Sequence, residues 1–251
     1  MPTLSRLGAI ALAALGAALG AACGGPKPAR TAPAPAASPS DTTGLVRVRF
    51  ARGTTSGIVS DSLRAGEARG YLLGAEQGQV MMAHAITWPV RQGDAPPATA
   101  TVRVYSAADG SELTAASGLG ALWSGRLPAT GDFVVQVSVT QPTAYTLAVQ
   151  IPRRLTAGGS DRTAAIAGTA PSRAPVDYII EGESGQTLAA SVRDGDAATL
   201  HLYGLDDGAQ LAPLSERRKL WAGTLPASQD YVISVVPADE GARYELSVTL
   251  R

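Results

Sequence analysis

The second half of the chain repeats the first half, and this constrains the fold more than any other feature of the sequence. Residues 70–79 (GYLLGAEQGQ) return as 177–186 (DYIIEGESGQ), and residues 122–135 (LWSGRLPATGDFVV) return as 220–233 (LWAGTLPASQDYVI). Self-similarity at a domain-sized period predicts two copies of one small domain. Residues that both copies share are then expected to be scaffold, and a specific function is expected where the copies differ.

Apolar and polar residues alternate along several segments of both copies. Tyr145, Leu147 and Val149 alternate with polar or small residues, and residues 244–250 keep the same phase. This period of two is typical of strands with one face on a core and the other in water. Asp-Gly turns separate the strands at intervals of about 8–12 residues. The sequence therefore predicts an all-β fold of two tandem antiparallel β-sandwiches, of jelly-roll or Greek-key type.

Aligning the copies sets the predicted domains at residues 44–152 and 153–251. The offset between the copies falls from 107 residues at the start to 98 later, so the first copy carries nine additional residues, near Arg91–Thr99. Two prolines there exclude ladder pairing and predict a loop. Val46, Val48 and Phe50 predict a first strand in the first copy, whereas the matching stretch of the second copy has a weaker pattern.

The N-terminal 43 residues are expected to lie outside this fold. Arg6 precedes an uncharged run over 7–22, which is typical of a secretory signal peptide (1–22) and is shorter than the roughly 20 apolar residues of a membrane span. The Pro/Ala-rich composition of residues 23–43 predicts an extended, disordered tether.

Cys23, the only cysteine, follows this signal. The segment 19–23 (LGAAC) resembles a bacterial lipoprotein signal, which implies that Cys23 carries a lipid and becomes the new N-terminus. The alternative is a plain secreted protein with an incidental cysteine. With lipidation, we expect an exported protein held at the bacterial cell envelope, facing the periplasm or the cell surface, with its N-terminal lipid as the only membrane contact.

Charge and residue inventory disfavour several functions. Basic and acidic residues number 21 each, so there is no excess positive charge for nucleic acid. His84 and His201 both fall on the outward phase of their strands and are unmatched in the other copy, which predicts exposed surface histidines. Zinc-type ligand motifs are missing, and the Asp-rich stretches 194–196 and 206–208 fit turns better than a calcium loop. We therefore predict no catalytic residues, no metal and no cofactor.

The order of the motifs resembles a known family. Residues 47–56 (RVRFARGTTS), Tyr71 ahead of Gly78-Gln79, 123–133 (WSGRLPATGDF) and 145–149 (YTLAV) resemble the periplasmic inhibitors of g-type and i-type lysozymes. They are also similar to the related bacterial pre-peptidase C-terminal domains. The resemblance covers 46–151 and, more loosely, 160–251, and it implies non-catalytic β-sandwich binding modules.

The same resemblance implies a contact loop in the first copy. In these inhibitors, a loop with a Ser-Gly element before the Trp or Tyr strand is implicated in blocking the lysozyme cleft. Ser117 and Gly118 occupy that place here, ahead of Trp123. The second copy reads SERRKLW over 215–221 and has no glycine there, so the expectation applies to the first copy.

Two further features distinguish the copies. Trp88 is unique to the first copy and lies near the additional loop, which makes it a candidate ligand contact, whereas Trp123 and Trp221 recur and are expected to be packing residues. Arg217, Arg218 and Lys219 replace residues 119–121 of the first copy. This basic run is either a solvated loop or a contact with an acidic surface.

Together these features predict an envelope-anchored binding protein that resembles a lysozyme inhibitor and presents its loops to a partner enzyme. The expected partner is a lysozyme or another secreted protein. The alternative is an accessory or structural module of the pre-peptidase type, which binds an envelope polysaccharide or stabilises an envelope assembly.

Overall fold

The structure is a computed structural model, and it describes residues 42–52, 54–88, 99–115, 120–156, 162–193 and 198–251. Nearly all regular structure in these ranges is β-strand. The strands up to residue 150 are β1 (Val46–Arg47), β2 (Ser56–Leu63), β3 (Ala68–Ala75), β4 (Val80–Trp88), β5 (Ala100–Ser106), β6 (Glu112–Leu113), β7 (Leu122–Arg126), β8 (Gly131–Val139) and β9 (Thr143–Gln150). The later strands are β10 (Arg153–Arg154), β11 (Arg162–Thr169), β12 (Val176–Gly182), β13 (Thr187–Arg193), β14 (Ala198–Gly204), β15 (Gln210–Ala212), β16 (Leu220–Thr224), β17 (Gln229–Pro237) and β18 (Arg243–Leu250).

Helical structure in the described ranges includes one 3₁₀ turn, Leu214–Glu216, between β15 and β16. No helix in the part of the chain that the structure describes has both the length and the apolar character needed to span a membrane.

The strands form four sheets, two in each copy of the repeat. Sheet A has the order β1-β3-β8-β5-β6 and sheet B the order β2-β9-β4-β7. Sheet C, β10-β12-β17-β14-β15, and sheet D, β11-β18-β13-β16, repeat these two orders in the second copy. Apart from β6 and β15, successive strands alternate between the two sheets of their sandwich, as in a jelly roll. The predicted all-β fold is confirmed, and the repeated sheet orders are consistent with tandem sandwiches.

The short first strand of each sandwich differs from the prediction. β1 and β10 pair in parallel with β3 and β12, so these sheets are mixed rather than purely antiparallel. The strand expected over 46–50 ends at Arg47, and the second copy forms the same pairing despite its weaker apolar pattern. The two copies share an ion pair here, because Arg47 binds Asp132 and Arg154 binds Asp230, each through two hydrogen bonds.

Each sandwich encloses its own apolar core. The first core joins sheets A and B, and its members include Tyr71, Met81, Val104, Trp123, Val135 and Leu147. The second core joins sheets C and D, and its members include Tyr178, Leu188, Leu202, Ile233, Tyr244 and Val248. The hydroxyls of Tyr71 and Tyr145 lie 2.5 Å apart, and those of Tyr178 and Tyr244 lie 2.7 Å apart. The tyrosine of the last strand in each copy therefore forms an equivalent buried tyrosine pair in both sandwiches.

Other shared residues also have scaffold roles. Trp123 is buried, and its indole donates a hydrogen bond to the Leu113 carbonyl at 3.2 Å. Gly78 and Gly185 adopt positive φ values of 81° and 89° in equivalent turns, where a residue with a side chain would be strained. In each turn the glutamine that follows accepts a backbone N–H bond at its side-chain oxygen. The recurring Gly-Gln motif is thus turn chemistry.

Candidate functional site

The two sandwiches belong to one compact unit and pack against each other through outer sheet faces. Sheet B of the first sandwich contributes apolar side chains, and sheet C of the second contributes their partners. The buried cluster consists of Val80, Met82, Leu122, Ile179, Tyr203, Leu205 and Val232. The Tyr203 hydroxyl also lies 3.5 Å from the Met82 sulfur. The outer faces of sheet B and sheet C are therefore buried against each other.

A polar network crosses this interface and centres on Asp177, which is 3% exposed. From the first sandwich, His84 Nε2 lies 2.6 Å from the carboxylate and Gln150 Nε2 donates to it at 2.8 Å. From the second sandwich, the Ser234 hydroxyl donates to the other carboxylate oxygen at 2.5 Å. Burying a carboxylate is costly unless hydrogen bonds occupy its lone pairs. These three contacts therefore stabilise Asp177 in its buried position.

The prediction of exposed histidines is wrong for both residues. His84 is 7% exposed and His201 is 2% exposed. Each lies on the outward phase of its strand, as expected, but the neighbouring sandwich covers that face. His201 Nε2 lies 2.6 Å from the Gln210 side-chain oxygen, and burial lowers the pKa of His201. The imidazole is therefore held in its neutral form within the fold.

The network does not pair a serine nucleophile with a histidine base. Asp177 lies between Ser234 and His84, so the serine hydroxyl is bonded to the carboxylate and not to the imidazole. A nucleophilic serine needs a base within hydrogen-bond reach of its own oxygen. No three His, Cys, Asp or Glu side chains within the described residues form a group suited to a metal ion.

A second polar contact across the interface is made by Asp230, whose ion pair with Arg154 is the counterpart of the Arg47–Asp132 pair. Asp230 accepts two hydrogen bonds from Arg154 and a further one at 2.6 Å from Arg126 of the first sandwich. Burial alone raises the pKa of Asp230, but the bonds from the two guanidinium groups outweigh it and hold that pKa below the usual range of an aspartate. The equivalent Asp132 has Arg47 as its partner and is more exposed.

An open cleft with a volume of about 440 Å³ lies on the first sandwich, and both residues that flank the predicted contact loop in the sequence, Ala115 and Gly120, line it. Its lining includes Arg103, Glu112, Ala115, Gly120 and Trp123. The C-terminal flank of this loop is fixed to the scaffold. Gly120 and Ala121 accept backbone hydrogen bonds from Val102 and Ala85, at 2.7 and 2.9 Å, and so connect sheet A to sheet B.

Several predicted site residues lie outside the described residues. These are Cys23, Ser117 and Gly118, with residues 91–98 of the additional loop and residues 194–196. Trp88 is described in its backbone, as the last residue of β4 opposite Ala144, and its side chain is not. Residues 206–208 are described, and Asp207 accepts bonds from Gln229 and from the backbone of Ala209, as turn chemistry requires.

The basic run is described and exposed. The Arg218 and Lys219 carbonyls accept hydrogen bonds from Leu200 and Val192, at 2.6 and 2.9 Å, as Gly120 and Ala121 do in the first sandwich. The backbone of this run is therefore scaffold, although its side chains are unique to the second copy. The Arg218 side chain forms an ion pair with Glu216.

The interface residues were missed at the sequence level, although a signal for them exists. β4 reads VMMAHAITW, with apolar side chains on both phases, and both phases from Val80 to Ala85 are buried. A strand without alternation is typical of a sheet covered on both faces. β13, its counterpart, reads TLAASVR and alternates, and its outer face is the more exposed one.

Comparisons with known proteins gave matches among solved structures. No protein-family model matches the chain, and no curated protein matches it. Among solved structures it is similar to PliG from Aeromonas hydrophila, a periplasmic lysozyme inhibitor of g-type lysozyme, with 24% identity over 42% of this chain and 94% of that one, at a TM-score of 0.33.

Two further solved structures also match. The CUB1-EGF-CUB2 domains of human MASP-1/3 match with 11% identity over 79% of this chain and all of that one, at a TM-score of 0.24. Tripeptidyl peptidase 2 matches with 6% identity over 82% of this chain and 24% of that one, at a TM-score of 0.29. The fold assignment rests on the strand pairing described above.

Proposed function

We propose that the chain is a non-catalytic, envelope-anchored binding protein that inhibits a lysozyme of the g-type or i-type class through the first sandwich. The contact is the loop at 116–119, which contains Ser117 and Gly118. The proposal starts from the resemblance of the motifs between 47 and 149 to the periplasmic lysozyme inhibitors.

The observation that carries it is the open cleft bounded by Ala115 and Gly120, the two flanks of that loop. Trp123, Arg103 and Glu112 also line the cleft. The hydrogen bonds of Gly120 and Ala121 to β5 and β4 hold the C-terminal flank in a fixed position. A loop held by a rigid frame beside an open cleft is a usual arrangement for a binding element.

The second sandwich supports the assignment by contrast. Its equivalent segment is a 3₁₀ turn followed by Arg217 in a left-handed conformation, and it carries a Glu216–Arg218 ion pair. The backbone anchors of the two segments are the same, so these segments share their attachment to the sandwich and differ in their side chains. We assign the lysozyme contact to the first copy only.

Calorimetric titration of the purified protein into a g-type lysozyme tests the proposal. Replacing 117–119 by Ala-Ala-Ala leaves the anchoring Gly120 and Ala121 in place, and we expect it to weaken binding at least tenfold. The matched control is Arg218→Ala in the second copy, which is expected to leave binding unchanged. Equal affinity of the two variants would refute the role of the loop.

The alternative accessory role has a separate test. A glycan pull-down that depends on Trp88, with no binding to g-type or i-type lysozymes, would replace the inhibitor assignment with a polysaccharide-binding module.

A further inference from the structure

The structure divides the three cations of the basic run into different roles. Arg218 is engaged by Glu216, and the backbone carbonyls of Arg218 and Lys219 are bonded to β14 and β13. Arg217 differs, because within the described residues its exposed guanidinium has no ion-pair partner. Of the two arginines in the run, Arg217 is therefore the one whose guanidinium is available to a ligand.

The backbone of Arg217 is also unusual. It has φ 47° and ψ 44°, and it is the one residue other than glycine with positive φ in the described part of the chain. Its N–H closes the 3₁₀ turn on the Leu214 carbonyl at 3.2 Å, and the bonds of the next two residues fix the other side. A side chain in this conformation is strained, and such strain is concentrated at functional sites.

Arg217 lines a groove with a volume of about 420 Å³. The groove runs between the 3₁₀ turn and the paired ends of β14 and β17. Its other lining residues include Ala198, Thr199, Leu214, Val236 and Pro237, none of which is charged. Leu214 is 41% exposed and offers an apolar surface next to the guanidinium. The volume falls within the range of protein ligand sites, about 300–1,000 Å³.

We propose that this groove is a second binding surface, and that it takes a peptide segment in which a carboxylate side chain stands next to an aliphatic one. The carboxylate receives two parallel N–H bonds from Arg217, since the planar guanidinium matches a carboxylate in geometry and charge. The aliphatic neighbour packs on Leu214, Val236 and Pro237. The inference stands on the second sandwich alone and does not depend on the lysozyme contact of the first.

The test is an NMR titration of the purified protein with two acetylated, amidated tripeptides, Leu-Glu-Leu and Leu-Gln-Leu. We expect the glutamate peptide to bind at least tenfold more tightly and to shift the amide resonances of residues 198–199, 214–217 and 236. Equal affinity of the two peptides would overturn the proposal.

Three variants locate the effect. Arg217→Gly keeps the left-handed backbone and is expected to abolish the preference for glutamate, and Arg217→Lys is expected to retain part of it. Arg218→Ala removes the neighbouring cation and is expected to change nothing. A preference that persists in Arg217→Gly would contradict the assignment. Binding of phosphatidylglycerol vesicles that is lost in Arg217→Gly, with no peptide preference, would replace the peptide by an anionic membrane surface.

Discussion

Replacing Asp177 by alanine removes the acceptor at the centre of the inter-sandwich network. Three donors, from His84, Gln150 and Ser234, then lose their buried partner. Removal of one member of a buried, hydrogen-bonded charge network costs roughly 3–5 kcal/mol. That is a large part of the 5–15 kcal/mol by which a typical domain is stable, so Asp177→Ala is expected to lower the midpoint of unfolding markedly.

Urea denaturation followed by tryptophan fluorescence measures this loss. Trp123 reports on the first sandwich and Trp221 on the second, so the signal covers both. Ser191→Ala is the matched control, because Ser191 is the counterpart of His84 on the outer face of sheet D, and it is expected to change the free energy of unfolding by less than about 0.5 kcal/mol.

A double-mutant cycle tests whether the contact itself is responsible. His84→Ala and Asp177→Ala together are expected to cost less than the sum of the single changes, with a coupling of about 1.5–3 kcal/mol, the range of hydrogen bonds to charged groups. A loss below about 1 kcal/mol in Asp177→Ala, or strictly additive effects, would refute the claim that this network holds the sandwiches together.

Three further predictions concern packing, pH and anchoring. Gly168→Ala places a methyl group into the ring of Tyr244 and is expected to cost about 1–3 kcal/mol in a denaturation assay, whereas Gly131→Ala, whose Cβ meets no atom within 4 Å, is expected to be nearly neutral; equal effects would contradict the packing. The pKa of Asp230 is depressed in the folded protein, so its contribution to the free energy of unfolding is present above the unfolded pKa of about 3.9 and is lost as the pH falls through the folded value. Asp230→Asn is expected to flatten the acid part of the profile of stability against pH, and an unchanged acid slope would disprove this. Cys23→Ser is expected to move the protein from the membrane to the soluble fraction, and unchanged fractionation would refute lipidation.

The sequence predicted the sandwich fold because its signals are local. Alternation along 145–149, Asp-Gly turns and the repeated motifs each act within a few residues, and the structure confirms the strand at 143–150 and the turns at Gly110 and Gly208. The parallel pairing of β1 with β3 and of β10 with β12 was missed because the partner and direction of a strand are set by long-range contacts, which an alternating pattern does not encode.

Burial of the histidines could not be read from alternation alone. The pattern gives the face of a strand, and it assigned His84 and His201 to the outer faces correctly. What covers an outer face depends on how the two sandwiches dock, which is a tertiary property. The unbroken apolar run 80–83 was the available sign that sheet B is covered on both sides.

The rate of peptidoglycan hydrolysis by a g-type lysozyme, measured while the purified protein is titrated in, tests the central functional proposal most directly. We predict that the rate falls in proportion to the added protein and is abolished near a 1:1 ratio, and that the 117–119 alanine variant leaves the rate unchanged. Full lysozyme activity in the presence of a tenfold excess of the unaltered protein would contradict the account.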